Sequence, residues 1–387
     1  MPWSETTPVK ERFLFIADAR EALFSVAELC ERYGISRKTG YKWLERFESE
    51  GPAGLEDRSR APHSSPSRTP GEIADRVIEF RRKHRSWGPK KLISRLRDLH
   101  PRTEWPAAST AGGLLKRAGL VNERRRTRRL PGSGPTPLTQ PAHPNDLWAA
   151  DFKGQFRMRD AIYCYPLTVS DGLSRYVLEV RALESIDSGP VHKSFQRLFR
   201  EYGLPAAIRT DNGTPFASPG LGRLSRLSIW WTRLGIRVQR IAPAHPEQNG
   251  SHERMHKTLK AETTRPPQAN AKSQQQRFNA FRSEYNQHRP HEALGQKTPA
   301  SLYRPSSRPY PKQLPQPEYP GHFEVRRVSS YGSIRFRSKR LFLSYPLAGQ
   351  LVALEEIDND LFSLFFGPLL LARFDYSTGQ LNEALPA

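Results

Sequence analysis

Residues 147–152 read Leu147-Trp-Ala-Ala-Asp151-Phe152, an apolar and small-residue run interrupted by one carboxylate. Such a run predicts a largely buried strand. A lone charge inside it is costly unless it is paired or holds a metal, so Asp151 needs a partner supplied from elsewhere in the chain. The following segments provide a frame for one. Leu147–Phe156, Ala161–Ser170 and Tyr176–Leu183 read as short strands separated by turn signals, with Asp160 a hairpin residue and Asp171 a turn cap. Residues 188–202 carry Val191, Phe195, Leu198 and Phe199 at helical spacing, and Gly203 ends the run. A strand over 206–210, a helix over 224–234, a strand over 237–241 and a helix over 249–263 complete the pattern. Three strands followed by alternating helices and strands predict an α/β unit.

Two more acidic residues fall where that unit would gather them. Asp211 follows a predicted strand and heads Asp211-Asn-Gly-Thr-Pro-Phe216, which by itself is turn chemistry. Glu253 stands in the first turn of the last helix, where an acidic group also favours the helix dipole. Each alone has an ordinary structural explanation. Together with their surroundings they form a pattern: Ala150-Asp151-Phe152; Thr168-Val-Ser-Asp-Gly-Leu-Ser-Arg-Tyr176; Arg209-Thr-Asp-Asn-Gly-Thr-Pro-Phe216; and Pro243-Ala-His-Pro-Glu-Gln-Asn-Gly-Ser-His-Glu-Arg254. Tyr285-Asn-Gln-His-Arg-Pro-His-Glu-Ala-Leu294 with Thr298-Pro299 follows.

These motifs resemble the bacterial insertion-sequence transposases of the retroviral-integrase type. The resemblance covers about residues 145–303 and implies an RNase H-like core with an Asp, Asp, Glu triad, here Asp151, Asp211 and Glu253. It implies that these three are both catalytic residues and ligands for two Mg²⁺ ions, with Mn²⁺ able to substitute. Asp151 would bridge both ions while Asp211 and Glu253 each complete one. Two such ions suit in-line phosphodiester chemistry, activating the nucleophile and stabilising the leaving oxygen. The separation of Asp211 from Glu253 exceeds the retroviral one, and residues 219–231 read as the insertion responsible. Glu247 is a rival third carboxylate, but the acid following Gln-Asn-Gly matches the motif. Cys30 and Cys164 are too few and too far apart for the retroviral N-terminal zinc site. Lys257 and Lys260, at i+4 and i+7 from Glu253, share its helix face. They are candidates to grip a DNA end, or else members of an ordinary surface ion pair. His252 and His256 could assist at the site but read first as surface or packing histidines, and Trp230-Trp231 as core aromatics.

Ahead of the core, Val26, Leu29, Cys30 and Tyr33 form an amphipathic stripe, Gly34 suits a left-handed cap, and Ser36 an N-cap. The helix after Ser36 carries Arg37, Lys38, Lys42 and Arg46. Residues 1–57 thus read as a helix-turn-helix DNA-binding module, or as an αα-hairpin with basic surface residues. Residues 58–70 read as a linker. Residues 71–130 resemble a second such module, opened by a capping box at Thr69-Pro70-Gly71-Glu72 and closed by a basic tail, Arg124, Arg125, Arg126, Arg128 and Arg129. A Pro/Gly-rich linker leads to the core. Beyond it, six prolines in residues 305–320 predict another linker, and 321–387 a small β-barrel bearing Arg335, Arg337, Lys339 and Arg340.

Composition agrees with a polyanionic partner. The chain of 387 residues holds 61 Lys and Arg against 39 Asp and Glu, a formal charge of +22. The excess is +11 over residues 1–140, +6 over 141–265 and +5 over 266–387, so no segment is acidic. Lys and Arg that neutralise phosphates release condensed counterions. No apolar run is long enough to span a bilayer, the N-terminus is polar rather than signal-like, and a disulfide framework is excluded. The expectation is a cytoplasmic bacterial protein, nucleoid-associated when bound, that takes double-stranded DNA at element ends and target. It would self-associate at least as a dimer and join the two by Mg²⁺-dependent cleavage and strand transfer. A non-enzymatic DNA-binding regulator with a vestigial core is the rival; a nuclease cutting RNA–DNA hybrids is less suited to two duplex readers.

Overall fold

The computed structural model describes residues 6–59, 68–121, 140–242 and 246–384. The chain divides into two compact units, residues 1–69 and 70–387. No helix among the described residues is long and apolar enough to cross a membrane.

The first unit is helical: α1 (Pro8–Glu21), α2 (Val26–Arg32) and α3 (Arg37–Glu50), then a 3-10 turn over Gly51–Leu55. Ser25 and Glu28 form a reciprocal capping box at α2, and Ser36 Oγ accepts from Thr39 N at 3.2 Å to start α3. Gly34 takes the left-handed conformation (φ +64°) between them. Phe15, Ile16, Leu29, Cys30, Trp43 and Leu55 form the core. Helix α1 lies outside the amphipathic stripe because Phe13 to Ile16 are four consecutive apolar residues. Such a run has no period of its own; packing buries Phe15 and Ile16 and leaves Phe13 and Leu14 exposed. Gly40 permits the close α2–α3 approach: a Cβ there would stand 2.4 Å from Cys30 Sγ and 3.1 Å from Phe15 Cζ.

The second unit begins with α4 (Gly71–Lys83), α5 (Pro89–Leu99) and α6 (Ala108–Arg117), packed around Val77, Trp87, Leu92, Leu96, Trp105 and Leu115. The expected capping box at α4 does not form. Pro70 occupies the cap position and no side chain caps the helix, because the candidate Thr69 lies one residue too early.

The α/β unit follows in chain order: β1 (Trp148–Phe152), β2 (Phe156–Arg157), β3 (Tyr163–Asp171), β4 (Val177–Leu183), α7 (Ser188–Tyr202), β5 (Ala207–Thr210), α8 (Arg226–Arg233), β6 (Arg237–Arg240), α9 (Gly250–Thr263), α10 (Ala271–Gln287) and α11 (Pro299–Leu302). The sheet runs β4-β3-β1-β5-β6, with short β2 also on β3. Pairs β1–β3 and β3–β4 are antiparallel, while β1–β5 and β5–β6 are parallel. Helices cover both faces. Phe195, Phe199 and Trp231 of α7 and α8 pack with Trp148, Val169 and Ile208 on one. Met255 and Leu259 of α9 with Phe278, Phe281 and Tyr285 of α10 cover Val177 and Val180 on the other. Burial on both faces explains why these strands read as nearly continuous apolar runs.

Residues 284–292 hold the second helical module to this core. Arg289, 7% exposed, donates from Nη1 to Glu262 Oε1 at 3.0 Å and to Ser86 Oγ at 3.1 Å. His84 Nδ1 meets Glu284 Oε1 at 3.0 Å, and Lys90 Nζ donates to Glu292 Oε1 at 3.0 Å.

Two expectations at the C-terminal end are corrected. Residues 305–320 are not a free linker but a strap on the core: Ser306 N donates to Tyr202 O, and Leu204 N to Arg308 O. Arg308 donates from its guanidinium to the carbonyls of Pro205 and Leu234, while Tyr310 stacks on Phe199. Prolines hold the segment extended, and these side chains fasten it. The expected β-barrel is also absent. Strands β7 (Glu324–Arg327), β8 (Ser333–Phe336), β9 (Lys339–Phe342), β10 (Leu351–Asp358), β11 (Leu361–Phe366), β12 (Leu369–Asp375) and β13 (Leu381–Glu383) form an open five-stranded sheet, β13-β12-β11-β10-β7, and a separate β8–β9 hairpin. Closure is unnecessary because Leu224 and Ile229 from the core join Phe336, Phe362, Phe366 and Phe374 in one cluster.

Gly40→Ala should destabilise the first unit by about 1–3 kcal/mol through overpacking, seen as faster hydrogen exchange of α2 and α3 amides. Arg289→Ala should cost the second unit about 3 kcal/mol, since it strands Glu262 beside a buried interface; urea unfolding of the full chain measures it.

Candidate active site

Strand β1 sits centrally, so its residues are fixed from both sides. Asp151 pairs with Thr168 of β3, and on the other edge Trp148 and Ala149 pair with Ile208 and Arg209 of β5. The offset between those paired residues is the offset between Asp151 and Asp211, which therefore leave adjacent parallel strands at the same level. Asp211 is exposed and turns back on its own loop, with Oδ1 accepting from Gly213 N at 3.1 Å. Asn212 Nδ2 donates to Ile241 O at 2.7 Å, tying that loop to the end of β6.

The start of α9 is tied to the same strands. Arg209 of β5 donates from Nη1 to Gln248 O at 3.0 Å, and Gln248 Oε1 accepts from Ala242 N at 2.9 Å. Glu253 then emerges exposed in the first turn of α9, while His252, Met255, His256 and Leu259 of the same helix are buried. Burial pushes the Asp151 carboxyl up to about 7, with the negative charge of Asp211 adding to it, and that of Glu253 a smaller part. Hydrogen bonding at the Phe152 amide and the Lys153 charge act the other way. The three carboxylates thus share one electrostatic neighbourhood.

His252 and His256 are neither surface residues nor apolar packing. They are 1% and 3% exposed and lie in a polar network under Asp151. Thr168 Oγ1 donates to Asp151 O at 2.9 Å and meets His252 Nε2 at 2.8 Å and His256 Nε2 at 2.6 Å. Ser170 Oγ meets His252 Nδ1 at 2.7 Å, and His256 Nδ1 faces Asp151 Oδ2 at 3.8 Å. Burial holds both imidazoles neutral, down at about 3 and about 2. The signal for this network is present in the sequence as two periods: Thr168 and Ser170 alternate on a strand, and His252 and His256 stand one helical turn apart. Only the packing of α9 on β3 matches them.

The other candidates are scattered. Lys257 and Lys260 are exposed on α9, and among the described residues no ion pair joins Lys257 to Glu253. In the first unit Arg37, Lys38 and Lys42 are exposed on α3, while Arg46 is half-buried; Lys42 and Arg46 lie over the Trp43 ring at 4.2 and 5.1 Å. Arg124, Arg125, Arg126, Arg128 and Arg129 fall outside the described residues, as does the side chain of Glu247. Of the C-terminal basic group, Arg337 is engaged by Glu356 at 3.4 Å and stacks on Phe362, and Lys339 bonds the Tyr376 carbonyl. Asp171 is the buried turn organiser its position suggests, accepting from Asn145 N and from Ser174 N and Oγ.

Among the described residues no three His, Cys, Asp or Glu side chains stand as a preformed metal cage. Mg²⁺ does not require one, since it keeps several waters and binds through one or two carboxylates plus phosphate oxygens. A half-buried carboxylate, raised by burial and with two others beside it, fits a divalent cation by charge and by donor type.

The integrase core domain family matches residues 141–246, and a second integrase core family matches residues 234–299. Homeodomain-like families match residues 6–56 and 39–115. The chain therefore carries an integrase core with an RNase H-like fold behind homeodomain-like helical modules. It is 28% identical over 232 residues to an uncharacterized protein of insertion element IS476 from Xanthomonas euvesicatoria, covering 59% of this chain and 64% of that one. It is also 28% identical over 199 residues to an uncharacterized protein of insertion element IS407 from Burkholderia multivorans, covering 49% and 66%. The matched stretch thus spans just under two thirds of each relative's length. Among solved structures, the HTLV-2 integrase catalytic core domain in complex with magnesium is 18% identical at a TM-score of 0.35, covering 43% of this chain and 100% of that chain.

The raised Asp151 carboxyl predicts a pH signature. Without metal, the folded chain keeps a proton that the unfolded chain releases near pH 4, so this contribution to stability is full below about 4 and is lost as pH rises through about 7. Asp151→Asn should therefore gain about 2–4 kcal/mol over the wild type on going from pH 5 to pH 8. Urea unfolding in EDTA at the two pH values measures it.

Proposed function

We propose that the protein is an insertion-sequence transposase that binds the terminal inverted repeats of its element and catalyses DNA strand cleavage and strand transfer. The observation that carries this reading is electrostatic: a half-buried strand carboxylate, Asp151, is raised by burial first, then by the charge of Asp211 and to a smaller extent that of Glu253, within an integrase core. Acids gathered around a half-buried carboxylate make poor structural groups and good cation ligands.

In this reading Asp151, Asp211 and Glu253 hold Mg²⁺ or Mn²⁺. The bound ions would polarise the scissile phosphate, activate the attacking oxygen and stabilise the leaving one. The residues of the chain do the rest. The pairing of β1 with β3 and β5 fixes Asp151 rigidly, while the Arg209–Gln248 bond sets where α9 presents Glu253. Exposed Lys257 and Lys260 continue along the same helix and would contact phosphates of the DNA end. Arg37, Lys38, Lys42 and Arg46 on α3, with the basic run Arg124–Arg129, would contact the repeat, α3 lying in the major groove. Because two ends must be joined, the working form would be at least a dimer on DNA, in the bacterial cytoplasm.

The test uses a labelled duplex carrying the repeat from the DNA flanking the gene. The wild-type chain with Mg²⁺ should nick it and join the 3′ end to a target duplex. Asp151→Asn, Asp211→Asn and Glu253→Gln should each lower this by more than about a hundredfold, beyond what loss of an outer-shell partner costs, while leaving repeat binding intact. A wild-type chain that binds the repeat but never cleaves it would instead be a DNA-binding regulator.

A further inference from the structure

The hydroxyl of Thr168 fixes the protons of the histidine pair. A carbonyl oxygen only accepts, so the single Thr168 hydrogen goes to Asp151 O at 2.9 Å. The hydroxyl oxygen must then accept from both imidazoles, at 2.8 Å from His252 Nε2 and 2.6 Å from His256 Nε2. Both rings are therefore Nε2–H tautomers, and in the neutral ring the other nitrogen carries a bare lone pair. For His252 that lone pair is satisfied, because Ser170 Oγ lies 2.7 Å from Nδ1 and has a hydrogen to give.

For His256 it is not. Its Nδ1 faces Asp151 Oδ2 at 3.8 Å, beyond hydrogen-bond distance. The residue is only 3% exposed. Nδ1 thus faces the Asp151 carboxylate with no hydrogen-bond partner among the described residues. A nitrogen and a carboxylate oxygen that converge in this way can share one cation between them. The spacing suits one: with metal bonds of about 2.1 Å, neighbouring octahedral donors stand about 3 Å apart, within a small rotation of the separation seen.

We infer that His256 Nδ1 is an additional ligand of the divalent cation held by Asp151, oriented for that task by Thr168. This rests on the carboxylates being the cation site proposed above. Imidazole is a borderline nitrogen donor, taken more readily by transition-metal dications than by hard Mg²⁺. The site therefore favours Mn²⁺ relative to an all-oxygen site. Nδ1 is a ligand only; the Nε2 proton stays on the Thr168 oxygen throughout, and no proton is transferred.

The probe is Mn²⁺ alone, added to the full chain without DNA. Pulsed EPR should detect ¹⁴N coupling to the bound Mn²⁺, changing to the ¹⁵N pattern in protein labelled with ¹⁵N-histidine. His256→Gln should abolish the coupling and weaken Mn²⁺ binding by at least about tenfold, whereas His252→Gln should retain the coupling. Mn²⁺ bound in the wild type but lost in Asp151→Asn, with no nitrogen coupling, overturns the His256 assignment and leaves the carboxylate site standing. Coupling that survives in a folded His256→Gln protein also overturns it. Mn²⁺ that binds equally to wild type and Asp151→Asn overturns both readings. The wild-type spectrum decides by itself if His256→Gln fails to fold.

Discussion

The structure depends on one electrostatic constraint, the partial burial of the Asp151 carboxylate in the central strand of a sheet covered on both faces. Burying a charge there is tolerable only if something nearby offsets it. The Lys153 charge offsets part of that cost, and burial outweighs it. Burial, with Asp211 and to a smaller extent Glu253 beside it, keeps the carboxyl raised to about 7. A fold selected for stability alone would have no reason to gather these groups. The proposed cation and phosphodiester would supply one.

Everything around β1 serves to hold that arrangement. Parallel pairing sets Asp211 level with Asp151 on the next strand. Arg209, one strand over, reaches the turn before α9 and so governs where Glu253 leaves the helix. The apolar face of α9 packs through Met255 and Leu259, and the same packing presses His252 and His256 onto Thr168 and Ser170. On the far side of this layer, α10 and Arg289 carry the second helical module. Position in the site and attachment of a helical module thus share one set of packed helices.

The charge distribution acquires a similar structural meaning. Part of the C-terminal basic group is consumed internally, as Arg337 with Glu356 and Lys339 with the Tyr376 carbonyl. Exposed residues on α3 and α9, by contrast, remain turned to solvent. Formal charge counted along the sequence overstates what is available to a polyanion, because ion pairs and cation–π contacts use some of it.

Much was legible in the sequence because it is encoded locally. Strand runs, helix stripes, the Ser36 cap and the turn at Asp211 depend on neighbours a few residues away, and the order of Asp151, Asp211 and Glu253 within that frame is enough to suggest an integrase core. What failed to be legible was non-local. The proline-rich stretch became a strap because Arg308 finds carbonyls about a hundred residues earlier. The C-terminal strands stayed an open sheet because Leu224 and Ile229 fill the core that closure would have supplied. The histidines became part of the site because a helix and a strand with different periods meet face to face. The sequence by itself determined which elements form and which acids stand at their ends. Only the tertiary structure decided which polar groups share one desolvated space, since burial and hydrogen-bond partnership are properties of packing and not of the chain's local pattern.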